Sequence, residues 1–152
     1  MNKVLIPTKL SDVAANTLKT AGYEVIQDAD TPLDVQAASH PDTVALIVRS
    51  EKVTPEIMDS LPSLKLVIRA GAGYDNIDLE AATKHGICVM NTPGQNSNAV
   101  AELVFGMIIM MCRNQYNGKS GTELKDKTLG LYAFGQVGRN VARIAKGFGM
   151  HV

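Results

Sequence analysis

From Lys3 to Asn91, apolar runs of strand length alternate with helical stretches at short, regular intervals, and few folds accommodate that pattern. Val4-Leu5-Ile6 reads as a buried strand, and Ser11 to Ala21 as a helix closed by Gly22. Tyr23 to Ile26 is the second strand, followed by a weakly patterned helical stretch near Leu33 to Ser39. Val44 to Val48 is continuously apolar, as a strand covered on both faces must be. Thr54-Pro55-Glu56 opens a helix with a cap, a proline at the first helical position and an acid in the first turn. Leu64 to Ile68 and Ile87 to Met90 complete the strands, separated by a helix that Asp78 caps and Gly86 ends.

Strands that alternate with helices are joined by crossovers, so the expected fold is α/β: a flavodoxin-like doubly wound parallel sheet. After Asn91-Thr92-Pro93-Gly94 the character changes. Ala99 to Arg113 carries one charge in its interior, Glu102, and a helix apolar all round should be buried all round. It reads as a bridging helix, with Asn114 to Lys127 as a polar, glycine-containing linker. Thr128 to Tyr132 reads as a strand that starts a second, Rossmann-type domain, and Val137 to Phe148 as its first helix. The expected organisation is therefore a ligand-binding domain over 1–95, the bridge and linker over 96–127, and the start of a truncated dinucleotide-binding domain over 128–152.

Fifteen basic and fifteen acidic residues cancel, so no global field favours nucleic acid or an anionic membrane. Any anion site must be built from local cations and backbone amides. The most apolar run, Leu103 to Cys112, is too short for a bilayer span of roughly 20 residues. A cytoplasmic location is expected. Cys88 and Cys112 form no CxxC pair and read as unpaired, buried thiols rather than metal ligands or a disulfide.

Ala133-Phe134-Gly135-Gln136-Val137-Gly138 matches the glycine-rich phosphate turn with alanine at the first glycine. The middle glycine lets the backbone approach a pyrophosphate, and the last lets helix and strand pack closely. Its place between a strand and a helix is the context such a turn requires. A second ligand edge is expected at the carboxyl ends of the first domain's strands, near the topological switch point. Three loops meet there: Arg49-Ser50, Gly71-Ala72-Gly73-Tyr74 and Asn91-Thr92-Pro93. Arg49 offers a bidentate fork for a carboxylate or phosphate, and the two glycines let the amides around Ala72 turn inward as an anion nest.

His40, His85 and His151 lack a carboxylate at acid–base spacing, Asp78 serves as a cap, and Met107, Met110 and Met111 read as packing residues. A signalling receiver is set aside, because the first and third strands end in Pro7-Thr8-Lys9 and Arg49-Ser50 instead of clustered acids.

Five separated motifs carry a family resemblance: Val48-Arg49-Ser50, Arg69 through Asp78, Asn91-Thr92-Pro93, Asn96-Ser97 and Ala101-Glu102-Leu103. In this order and spacing they resemble the D-2-hydroxyacid dehydrogenases over essentially the whole chain. The resemblance implies a substrate domain and an inserted nicotinamide domain, oxidising a small anionic 2-hydroxy acid with NAD; NADP stays open. By the same resemblance Arg49, Ser50, Ala72, Gly73 and Tyr74 contact substrate. Ala72 also approaches the cofactor, and Phe134, Gly135, Gln136, Val137 and Gly138 form the turn over its pyrophosphate.

No position matches the family's catalytic arginine, glutamate or histidine, nor the acid that holds the adenine ribose, so no catalytic residue or metal site is assigned. The expectation is an oxidoreductase part that is inactive alone and assembles as a homo-oligomer through Ala99 to Arg113 and Thr128 to Tyr132. The alternative is a non-catalytic dimerisation or binding module derived from that family.

Overall fold

A computed structural model describes residues 2–152, which form two compact units divided between Pro93 and Gly94. The first unit contains β1 (Lys3–Ile6), α1 (Asp12–Thr20), β2 (Glu24–Gln27), α2 (Leu33–Ser39) and β3 (Thr43–Val48). It continues with α3 (Pro55–Asp59), β4 (Leu66–Arg69), α4 (Leu79–Lys84) and β5 (Cys88–Asn91). The five strands form one sheet in the order β2-β1-β3-β4-β5, every pair parallel. This is the flavodoxin-like order, with its switch point between β1 and β3.

Alternation along the strands splits the core in two. Leu5, Leu46, Val48 and Val67 point to one side, where they meet Ala37 of α2, Ile57 and Met58 of α3, and Ala81 and Ala82 of α4. Val4, Ile6 and Ile47 point to the other, toward Ala15 and Leu18 of α1. The caps follow the sequence closely. The Ser11 hydroxyl accepts from the Val13 amide at 3.4 Å, and the Asp78 carboxylate accepts from the Ala81 amide at 2.8 Å. Gly22 and Gly86, with φ of +87° and +65°, carry the chain out of α1 and α4 in the left-handed conformation that glycine tolerates best.

Thr54 departs from expectation. It occupies the cap position of α3 but caps no amide with its side chain; its hydroxyl instead faces Glu56 and lowers that carboxyl's pKa.

The second unit contains α5 (Ser97–Cys112), a single 3₁₀ turn at Asn114–Tyr116 and α6 (Gln136–Gly147). Ala101 and Phe105 of α5 pack on Val141 and Ala145 of α6, with Leu124, Leu129, Leu131 and Met150 around them. The Phe105 and Phe148 rings stack with centroids 5.1 Å apart. Asn114, Gln115 and Tyr116 all have φ between 50° and 57°, so three successive non-glycine residues turn the chain away from α5 in the left-handed region.

Two expectations for this unit fail, and one for the cysteines of both units. α5 is buried along one stripe, Ser97, Ala101 and Phe105, while Leu103, Met107 and Met111 are 64%, 57% and 77% exposed. An apolar helix needs cover on every side, and within this chain α6 and its neighbours supply it on one. The segment expected as the strand Thr128 to Tyr132 forms only an isolated parallel bridge, Thr128 to His151. A strand requires ladder partners, and the pairing here stops after the bonds Leu129 N–H to His151 O and His151 N–H to Lys127 O. The thiols are not buried either: Cys88, on the edge strand β5, is exposed, and Cys112 is half-buried. No helix among the described residues is long and apolar enough to cross a membrane.

Candidate functional site

In the first unit, the loops after β3, β4 and β5 are stitched together at the carboxyl edge of the sheet. The Asn76 side chain donates to the Glu51 carbonyl at 2.7 Å, joining the β3 and β4 loops. Val53 and Ile77 form a parallel bridge that repeats the join. The Asn91 side chain donates to the Ala72 carbonyl at 2.7 Å, and the Thr92 amide to the Gly71 carbonyl at 2.9 Å, joining the β4 and β5 loops. The predicted residues Arg49, Ser50, Ala72, Gly73 and Tyr74 are thus gathered on one edge, all of them exposed.

The bonding pattern differentiates the loops. Among the described residues, the amides of Ala72, Gly73 and Tyr74 meet no protein acceptor, so they stay available to an anion. Gly71 also makes room for a side chain, because a Cβ there would collide with the Arg69 guanidinium. Arg69 pairs in register with Val48 and Asn91 at the ends of β3 and β5, and its Nε is buried without a hydrogen-bond partner. In the sequence Arg69 stands within a family motif but carries no role of its own. The available signal was a second cation at a strand's carboxyl end.

Glu51 likewise carries no signal in the sequence. Its carboxylate accepts from the amides of Arg49 at 2.7 Å and Ser50 at 3.1 Å. Burial pushes its pKa up, but the amides of Arg49, Glu51 and Ser50 and the nearby Thr8 hydroxyl outweigh this and hold it below the usual value. Thr8 is buried at the end of β1, so this cluster spans the switch point between β1 and β3.

His85 corrects another reading, because it does have a carboxylate partner. Its Nε2 lies 2.9 Å from Asp59 Oδ1 and its Nδ1 2.8 Å from the Ala81 carbonyl. The Ala81 carbonyl and the Asp59 carboxylate raise its pKa. The pair ties the C-terminal ends of α3 and α4, which lead into the amino ends of β4 and β5, so it sits away from the ligand edge. Among the described residues no cluster of His, Cys, Asp or Glu suits a metal ion.

In the second unit, the predicted phosphate turn divides its labour by position. Ala133 holds φ of +78°, the left-handed conformation the first glycine normally supplies. Gly135 is the N-cap of α6, and a Cβ there would meet nothing within 4 Å. Gly138 is the opposite case, since its Cβ would stand 2.7 Å from the Ala133 carbonyl oxygen. The first intrahelical bond is Arg139 N–H to Gly135 O at 3.0 Å, which leaves the amides of Gln136, Val137 and Gly138 unpaired at the positive end of a 12-residue helix. Open backbone, amides without protein acceptors among the described residues and a tight third glycine are the features with which helix N-termini receive anions.

A doubly wound parallel sheet with cations and free amides at its carboxyl edge is followed in the chain by a glycine-rich turn at a helix N-terminus. The chain belongs to the D-isomer specific 2-hydroxyacid dehydrogenases: the family's catalytic-domain model matches residues 4–146. It is 40% identical over 164 aligned positions to D-3-phosphoglycerate dehydrogenase of Homo sapiens, covering 99% of this chain and 31% of that one. To the enzyme of the same name from Bacillus subtilis (strain 168) it is 34% identical over 166 positions, covering 100% and 31%. It is also similar to the solved structure of NAD+-bound 3-phosphoglycerate dehydrogenase from Entamoeba histolytica, with a TM-score of 0.86 and 41% identity over 99% of this chain and 52% of that one. The chain thus spans about a third of the length of these curated relatives.

Proposed function

We propose that these 152 residues supply the substrate-binding part and the pyrophosphate turn of an NAD-dependent 3-phosphoglycerate dehydrogenase, by resemblance the first step of serine biosynthesis. The observation that carries the reading is the convergence of Arg49, Arg69 and the free amides of Ala72, Gly73 and Tyr74 on one sheet edge. Two cations and a run of donors suit a small acid bearing a carboxylate and a phosphate. The cofactor, when bound, accepts the hydride from the carbon that bears the hydroxyl. Around it, Gln136, Val137 and Gly138 would hold the pyrophosphate on their amides, with Gly135 leaving the approach open.

Oxidation also requires a group to take the hydroxyl proton. We assign none in this chain, because among the described residues the histidine–carboxylate pair, His85 and Asp59, lies at the other edge of the sheet. The 152 residues alone are therefore inactive in this account. The test is NADH formation from D-3-phosphoglycerate by the chain alone, and by the chain mixed with the remaining residues of a relative. Activity only in the mixture supports the proposal. Turnover by the chain alone refutes the assignment of roles, and silence in both refutes the activity.

A second reading, an assembly module of the same family working in the cytoplasm, is favoured by the exposed row Leu103, Met107 and Met111 on α5. It predicts a homo-oligomer, and no gain of activity when the missing residues are supplied.

A further inference from the structure

The edge that gathers Arg49 and Ser50 already contains an anion, and it belongs to the protein. Glu51 folds back over its own loop, so that one carboxylate oxygen receives both the Arg49 amide and the Ser50 amide. The Thr8 hydroxyl, buried at the end of β1, stands beside the same carboxylate, and the Glu51 carbonyl receives the Asn76 side chain from the β4 loop. One residue therefore links three strand ends at the switch point. The two amides it takes are those a substrate carboxylate would otherwise meet at this loop.

The Arg49 guanidinium is left free of this arrangement. Among the described residues the ion-paired cations are Lys3, Lys84 and His85, so Glu51 engages the Arg49 backbone without neutralising its side chain. We propose that Glu51 is a positioning residue for the substrate anion: it saturates the backbone of the Arg49–Ser50 loop and fixes the direction in which the Arg49 guanidinium leaves β3. The substrate anion then meets that fork and not the loop amides. The depressed pKa of Glu51 agrees with this, since the carboxylate stays charged throughout the neutral range.

The inference rests on reading Arg49 as the anion receptor, and the experiment separates the two. D-3-phosphoglycerate is titrated into the 152-residue chain and into its Arg49→Ala, Glu51→Ala and Glu51→Gln variants, followed by backbone amide NMR, with a thermal melt of each. Arg49→Ala abolishes binding if the site is read correctly. Unchanged binding in that variant overturns the site reading itself. With Arg49 validated, Glu51→Ala weakens binding about tenfold, the cost of leaving a long side chain to be ordered by the ligand. Glu51→Gln, which keeps an acceptor of the same shape, weakens it about threefold by the same arithmetic. A lower melting temperature with unchanged affinity makes Glu51 merely a local brace and overturns the inference. Tighter binding in Glu51→Ala overturns it too, because the ligand would then be using the amides that Glu51 covers.

Discussion

Two alanine substitutions three positions apart in the glycine-rich turn, at Gly135 and Gly138, should separate fold from ligand binding. In Gly138→Ala, the new Cβ would stand 2.7 Å from the Ala133 carbonyl oxygen, which is backbone and has little freedom to move. Comfortable C–H···O contacts begin near ~3.3 Å, so the turn must open by about 0.6 Å. Overpacking of this kind costs about 1–3 kcal/mol, and the better helix propensity of alanine returns roughly 0.5–1 of it. The net loss is about 0–2.5 kcal/mol, up to several degrees of melting temperature for a chain of this size.

Gly135→Ala meets nothing within 4 Å, and the residue's φ of −77° suits any side chain. Alanine is a poorer N-cap than glycine, but it also restricts the unfolded chain, and the two effects nearly cancel, to within about 0.5 kcal/mol. The proposed function places the cofactor's pyrophosphate in the open space that this methyl group would enter. NAD binding should therefore weaken at least about tenfold while stability holds. Thermal melts give the first quantity, and amide NMR titration with NAD gives the second. Undiminished NAD binding in Gly135→Ala would refute the assignment of the turn.

Ala133→Gly should relieve the left-handed strain at φ +78°, offset in part by the freer unfolded chain, for a net gain of up to about 1 kcal/mol in chemical denaturation. Leu103→Glu on the exposed row of α5 should shift sedimentation toward monomer if that row is an interface; an unchanged profile across the micromolar range removes it as one. His85 carries a raised pKa, so its stabilisation is complete below the ordinary histidine value and is lost as pH rises through the raised one. Both ring nitrogens face acceptors, so only the imidazolium satisfies both, and melts of His85→Ala should lose that alkaline-side decline.

Local signals in the sequence proved the most legible. The helix Leu33–Ser39, the Asp78 cap and the glycines after α1 and α4 are written in neighbouring residues, and the structure places them there. The parallel sheet followed from the strand–helix alternation, because only crossovers join such strands. Glu51 was not legible in the same way: whether a glutamate folds back on its own amides depends on where the backbone turns, which no spacing reveals. The Asp59–His85 pair spans 26 positions between two helices and exists only once both are packed. Arg69 and Gly71 are two positions apart, yet the reason for the glycine is the path of the arginine side chain. For α5 the composition announces a need for cover without naming what provides it, and Thr128 to Tyr132 announces a strand without supplying its ladder.

In the proposed function one chain holds two separate anion-binding elements, an edge that receives the acid and a turn that receives the dinucleotide. The most direct measurement is a residue-by-residue amide NMR map of the chain with each ligand added separately. NAD should move the amides of Gly135, Gln136, Val137 and Gly138, and D-3-phosphoglycerate those of Ala72, Gly73 and Tyr74. No movement of either set at millimolar ligand, or shifts confined to other residues, would contradict it.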